Sequence, residues 1–263
     1  MIAGPGCGKA APSLDRDGYA VLPDLFDAAA VTALRAELAR LCRGGVAGTS
    51  GTSGDTDDTE LLAKFVCLQF PHVVSPLVQR TLLHRAIVDE LRRVLGPALK
   101  LMQSIVLMRR AGTPGQAWHQ DRHYLDSGDN PLVGAWVALD DVRVDNGCIW
   151  ILPASHRPAR VWPHRLHGDP EYDASPRAVD HPFDEGSAVA LEAGAGTCVL
   201  FDGHVLHRSL ANRRPTGLRR ALIGHFSAAG TPSVWDGGNR EIDLDGGCQV
   251  EVAMGARAYA HQE

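Results

Sequence analysis

Trp118-His119-Gln120-Asp121 is the stretch from which the fold of this 263-residue chain is read. On extended backbone, residues two apart face the same way, so His119 and Asp121 offer one imidazole nitrogen and one carboxylate oxygen to a single ion. Eighty-six residues beyond Asp121, Val205-Leu206-His207-Arg208-Ser209 supplies a third candidate ligand, and a basic strand follows at Arg219-Arg220. Two imidazoles and a carboxylate on one face of an ion, its other positions open, suit a non-haem Fe(II) oxygenase centre. His204 is the rival third ligand. His123, two beyond Asp121, is a ligand, a substrate contact or a packing residue.

The flanking sequence has the period of strands. Leu101, Gln103, Ile105 and Leu107 share one face, which leaves Gln103 a polar group on an apolar stripe and in need of a partner. A turn at Gly112-Thr113-Pro114-Gly115 leads into the metal stretch. In Gly134-Ala135-Trp136-Val137-Ala138-Leu139-Asp140-Asp141, Gly134 and Ala138 leave space beside the Trp136 ring for a ligand or for a packed helix. Asp145-Asn146-Gly147 is a hairpin-type turn into Cys148-Ile149-Trp150-Ile151-Leu152, which ends at Pro153-Ala154-Ser155-His156. A polar, histidine-bearing insertion spans about 161–186, and further strands follow at 188–191, 197–201 and 219–226. Many short strands after helices predict a mainly β jelly-roll with flanking helices. Asp140-Asp141 reads as a turn, Arg109-Arg110 as a solvated strand end, and His225 as solvated or structurally paired.

The N-terminal half is helical. Asp27 is an N-cap, Val31, Leu34, Leu38 and Leu41 repeat on one face, and Gly44-Gly45 stops the helix. Residues 44–60, rich in Gly, Thr and Ser, are either a dispensable loop or an active-site lid. Ser75-Pro76 opens a second helical region that closes at Gly96-Pro97.

Composition narrows the function. With 44% hydrophobic residues the chain can build a sizeable core, so one domain is expected over 14–263 after a frayed segment 1–13. A net charge of −5 offers no basic stripe for phosphate backbones, which excludes nucleic acid as a natural partner. Six cysteines without a CxxC pair, no signal peptide and no apolar run of membrane-spanning length predict a cytoplasmic protein with free thiols. A monomer acting on a small molecule, away from membranes, is expected.

Together, Asp17-Gly18-Tyr19 with Leu22-Pro23, Trp118-His119-Gln120-Asp121, Trp136 to Asp140, Asn146-Gly147 leading to Pro153-Ala154-Ser155-His156, and His207-Arg208-Ser209 with Asn212 and Arg219-Arg220-Ala221 resemble the phytanoyl-CoA dioxygenase family of Fe(II)/2-oxoglutarate oxygenases. The resemblance runs from about residue 14 to 227 and is specific because separated blocks occur in the family's order. It implies a double-stranded β-helix (cupin-like) core, His119, Asp121 and His207 as iron ligands, and Fe(II), 2-oxoglutarate and O2 as cofactor and co-substrates. It further implies Arg219, helped by Ser209, on the distal carboxylate of 2-oxoglutarate, with Gln103 and Trp136 lining that pocket. Periodicity does not choose between Arg219 and Arg220; the resemblance selects the first of the pair. His156 matches a structural turn. The implied activity is hydroxylation of an unactivated C–H bond of a small metabolite, such as a biosynthetic intermediate, with release of succinate and CO2. No basic cluster for CoA phosphates is evident. Aspartate at 121 argues against halogenation, since halogenating relatives carry a small residue there. Desaturation, cyclisation or epimerisation stays open, as does a cupin-like metal-dependent isomerase, which has no use for Arg219.

Overall fold

The structure, a computed structural model, describes residues 11–45, 57–232, 239–244 and 248–253. Its major sheet has the order β1 (Tyr19–Leu22), β10 (Cys198–Asp202), β5 (Val133–Ala138), β12 (Leu218–Ala228), β3 (Leu99–Arg110), β14 (Cys248–Ala253), β13 (Asn239–Leu244), with β2 (Cys67–Gln69) also paired to β3. The minor sheet has the order β4 (Gln116–His119), β11 (His207–Ser209), β6 (Ile149–Ile151), β9 (Val189–Leu191). This is the mainly β, cupin-like jelly-roll that the strand periods predict.

Alternation along β5 shows how the layers are built. Trp136 and Ala138 turn toward the minor sheet and join Ile149, Ile151, Phe201 and Ile223 in the interior. Val133, Ala135 and Val137 turn the other way, onto the helices. Every residue of β5 is buried, as a strand covered on both faces requires. Trp136 therefore faces the space between the sheets, not a helix. At Gly134 an added Cβ would lie 2.7 Å from the Phe201 ring and 3.3 Å from Asp121 Oδ2, so the missing side chain makes room for both.

The expected single face for Leu101, Gln103, Ile105 and Leu107 is broken by a bulge. In the β12–β3 ladder His225 pairs with Gln103 but Phe226 pairs with Leu101, so Met102 is the extra residue. An extra residue shifts the alternation by one position. Leu101 accordingly packs in the helix-side core while Ile105 and Leu107 pack in the interior.

The helices cover the outer face of the major sheet. Ser13 caps α1 (Leu14–Asp17), and Gly18 ends it with φ +80°. Asp27 caps α2 (Ala28–Arg40) by accepting from Ala30 N, and Gly44 takes φ +121° in the irregular turn that follows. The stretch expected to be one loop ends in a helix, α3 (Asp58–Leu62), which buries Leu61 and Leu62 under an Asp57 cap. Residues 46–56, and the question of a lid, lie outside the described residues. After the short α4 (Pro71–Val74), the second helical region is two helices, α5 (Pro76–Leu82) and α6 (Arg85–Leu95). His84 divides them by leaving helical conformation and accepting from Ala86 N.

The insertion covers the outer face of the minor sheet. It carries the paired strands β7 (His164–Arg165) and β8 (Arg177–Ala178), and its Trp162, Ala178 and Phe183 pack on Trp118, Leu152 and Leu206. On this face the Arg208 guanidinium lies 4.6 Å from the Trp118 ring and 5.6 Å from the Trp150 ring. Glu185 accepts from Trp118 Nε1 at 2.7 Å, and the Tyr172 hydroxyl is 3.3 Å from Arg208 Nη1. At the other end of the fold, β14 runs parallel to the start of β3, where buried Lys100 donates to the Thr231 carbonyl at 2.6 Å and lies 3.6 Å from Glu251. Cys42, Cys67, Cys148 and Cys198 are free thiols. Among the described residues no helix is long and apolar enough to cross a membrane.

Candidate metal centre

Pairing of β4 with β11 sets His119 directly opposite His207, and their ring centroids are 4.1 Å apart. The strand ends at His119. Gln120 is still extended, but Asp121 opens a 3-10 turn, Asp121–His123, so the alternation expected across Asp121 and His123 does not extend that far. One ligand atom from each of His119, Asp121 and His207 lies within 4.8 Å of the others. Asp121 Oδ1 is 3.9 Å from His119 Nε2 and 3.6 Å from His207 Nε2.

Hydrogen bonds aim these atoms. His119 Nδ1 is 2.8 Å from the Ala117 carbonyl and His207 Nδ1 is 3.1 Å from the Val205 carbonyl. A carbonyl only accepts, so each Nδ1 carries the proton and each Nε2 presents a lone pair. Asp121 Oδ2 accepts from His225 Nε2 at 2.9 Å, which leaves Oδ1 for an ion. His225 is thus buried and paired, and its partner is a candidate metal ligand. It shares a face of β12 with Arg219, Ala221 and Ile223, and that alternation is the signal by which the sequence could have revealed it. Gln120, fully buried, fixes the chain between the ligands by donating to the Arg160 and His204 carbonyls at 2.8 and 2.6 Å. Replacing His225 by Leu should weaken Fe(II) or Co(II) binding about 10- to 100-fold with the fold retained, as loss of a ligand's outer hydrogen bond does; calorimetric metal titration checks this.

Burial, with His207 close by, pushes His119 down to about 3. Burial alone would raise the Asp121 carboxyl, but His225, His207 and His119 around it hold it well below the usual carboxylate range. The metal-free protein should therefore lose stability on acidification. Between 6.5 and about 3 the unfolded chain binds a proton at His119 that the folded chain refuses, so His119 favours folding less as pH falls through that window. The Asp121 contribution is full above its ordinary range and is lost below it. The unfolding free energy of the metal-free protein should fall from pH 7 to pH 4, by up to about 1.4 kcal/mol per pH unit from His119 alone, and its melting temperature should fall with it. A His119→Asn variant should show a flatter profile.

The cavity over these residues has a volume of about 310 Å³. Its wall is apolar at Ile105, Leu107, Leu125 and Phe201, and Gln69, Gln116, Tyr124 and Ser175 add uncharged polar groups. Gln103, Trp136, Ser209 and Arg219 all line it. Ser209 Oγ accepts from Gln116 N at 3.2 Å. Arg219 is 2% exposed and its buried Nε has no partner; burial, then the neighbouring Arg109, lowers it to about 9. Arg220 points elsewhere: its Nε and Nη2 bind Asp140 at 2.8 and 2.6 Å, and Asp140 also holds Arg35 at 2.8 Å. Arg219 is the member of the pair that faces the cavity.

Of the alternatives left open, His123 takes the packing one and His204 is not the third ligand, whereas the expectation for Arg109 is corrected. His123 is stacked on His164 of the insertion, with centroids 3.8 Å apart and planes within 5°. His204 binds Asp202 at 3.1 Å and is not in the ligand cluster. Arg109, expected as a solvated strand end, is 5% exposed and bonded to Pro114 and Asp173.

The fold and the convergence of His119, Asp121 and His207 define a double-stranded β-helix protein with a candidate mononuclear metal centre. The chain belongs to the phytanoyl-CoA dioxygenase (PhyH) family, whose sequence profile matches residues 14–221. It is 33% identical over 129 residues to phytanoyl-CoA dioxygenase 1 of Oryza sativa subsp. japonica, covering 48% of this chain and 43% of that protein. It is 30% identical over 177 residues to phytanoyl-CoA dioxygenase domain-containing protein 1 of Mus musculus, covering 64% and 58%. The match thus spans about half the length of these relatives. Among solved structures, EctD from S. alaskensis in its apoform has a TM-score of 0.63 at 23% identity, covering 84% of this chain and 76% of that one. The epimerase SnoN in complex with Fe3+, alpha ketoglutarate and nogalamycin RO has a TM-score of 0.62 at 23% identity, covering 82% and 81%. At this identity the likeness is one of fold.

Proposed function

We propose that this chain is an Fe(II)- and 2-oxoglutarate-dependent dioxygenase that hydroxylates an unactivated C–H bond of a small metabolite. The observation that carries the reading is the presence in one cavity of the His119, Asp121, His207 cluster and of a buried guanidinium, Arg219, whose Nε has no partner. The donor set fits the metal, since two neutral imidazoles and one carboxylate leave a divalent iron with residual charge and open positions. Arg219 fits the distal carboxylate of 2-oxoglutarate, because a planar guanidinium donates two parallel hydrogen bonds. When bound, the iron and 2-oxoglutarate supply the oxidising chemistry, with one oxygen atom of O2 ending in succinate and the other on the substrate carbon.

The remaining work falls to the chain. His119, Asp121 and His207 hold the metal, and the Ala117 and Val205 carbonyls and His225 fix their orientation. Ser209, Gln103 and Trp136 line the co-substrate pocket beside Arg219. Ile105, Leu107, Leu125 and Phe201 keep water from the reacting carbon, and Tyr124, Gln116 and Ser175 orient uncharged polar groups of the substrate. A cupin-like isomerase without 2-oxoglutarate leaves the buried charge of Arg219 unexplained.

Anaerobic titration of the Fe(II)-loaded protein with 2-oxoglutarate tests this. A saturable, weak visible charge-transfer band is expected. Its absence, with iron content verified, overturns the reading. Product mass then distinguishes hydroxylation, which adds one oxygen, from epimerisation, desaturation or cyclisation.

A further inference from the structure

We infer that Arg109, opposite Arg219 on the neighbouring strand, adds a second positive charge to the field that holds the distal carboxylate, and that Asp173 on the insertion tempers that charge, so that the insertion tunes the affinity for 2-oxoglutarate. The inference rests on the function proposed above and deepens it.

Arg109 on β3 and Arg219 on β12 are direct cross-strand partners, and both are buried. Side chains opposed in this way lie on one face about 5 Å apart at Cβ, and like charges so placed repel. Two buried guanidiniums side by side are costly unless anions compensate them. Only part of that compensation comes from the protein. Arg109 donates from Nη1 to the Pro114 carbonyl at 3.0 Å and from Nη2 to Asp173 Oδ2 at 3.1 Å. The Nε atoms of Arg109 and Arg219 are both buried without partners. The contrast with Arg220 is instructive, since Asp140 meets both its Nε and its Nη2. Of the two cations Asp173 meets Arg109 alone, and Asp140, whose charge reaches Arg219, is already bound by Arg220 and Arg35, so a ligand that brings a carboxylate to Arg219 completes the balance.

Asp173 is held for this role. Its backbone N donates to the Gly115 carbonyl at 2.8 Å, and its Oδ1 accepts from Ser175 N at 3.1 Å and from the Ser175 hydroxyl. Ser175 lines the cavity. The same short segment of the insertion therefore supplies both a wall of the substrate space and the counter-charge of Arg109. Arg109 acts through the field at Arg219 and is a positioning residue.

The test compares two ligands and three variants by calorimetry on anaerobic Co(II)-loaded protein. 2-Oxoglutarate has the distal carboxylate; 2-oxopentanoate, of the same chain length, lacks it. Arg109→Met should weaken 2-oxoglutarate about tenfold, the scale of one unit charge several ångströms away at the effective dielectric of a protein site. Asp173→Asn should strengthen it several-fold, and Arg109→Lys should stay near wild type. Binding of 2-oxopentanoate should change little in any of them. Equal shifts for both ligands in Arg109→Met and Asp173→Asn, or an unchanged ratio in either, would overturn the inference. If Arg109→Met does not fold, Asp173→Asn decides alone, because no loss of structure raises the preference for the dianion. A wild type that binds both ligands equally would instead sink the 2-oxoglutarate reading itself.

Discussion

Arg219→Ala is expected to weaken 2-oxoglutarate binding by about a hundredfold or more while iron binding stays intact, the loss on the order of 3 kcal/mol that follows removal of a buried, charge-assisted pair. The residue is 98% buried, it lines the cavity that the three candidate ligands share, and among the described residues no acceptor meets its Nε. Neighbouring Arg220 cannot substitute, because its guanidinium is committed to Asp140. Arg219→Lys should fall between, since a lysine keeps a charge but not the fork. The chelate band, followed against 2-oxoglutarate concentration at fixed iron, reads the effect. Wild-type affinity in Arg219→Ala would remove this residue from the co-substrate site.

Asp121→Ala should abolish stoichiometric iron binding, with a loss on the order of a thousandfold or greater, since it deletes a ligand where loss of an outer contact alone costs about 10- to 100-fold. The carboxylate is the anionic member of the cluster, and it is set between both Nε2 atoms. The variant should fold, because the space it vacates lies beside the open cavity and not in the helix-side core. Iron content after gel filtration, alongside a circular dichroism spectrum, tests the prediction; retained iron at wild-type stoichiometry would dismiss the centre.

How far the residues alone reached depended on how regular the backbone is. The strand periods located the jelly-roll, because alternation is a local rule that most of these strands obey, while the grouping of His119, Asp121 and His207 and the choice of Arg219 over Arg220 came from the spaced blocks of the family resemblance. Alternation fails where the backbone departs from it. The bulge at Met102 separates Leu101 from Gln103, and the 3-10 turn at Asp121 takes His123 away from the ligands and onto His164. Long-range pairing is the other gap. That Arg109 is buried follows from its position opposite Arg219 and from Asp173, sixty-four residues away, neither of which a local pattern encodes. His225 was within reach, as it shares a face with Arg219, yet its bond to Asp121 joins residues 104 positions apart.

Trp118 and Arg208 each stand one peptide from an iron ligand candidate, and Glu185 and Tyr172 of the insertion grip them, although Arg208 also borders the cavity. Engineering of substrate scope has to reckon with this. A loop grafted in place of 161–186 would change the back surface of the strands that carry His119 and His207, so a chimaera needs acceptors for Trp118 Nε1 and Arg208 if its metal site is to keep its shape. Libraries confined to Ser175 and Tyr124, which line the cavity, leave that grip alone.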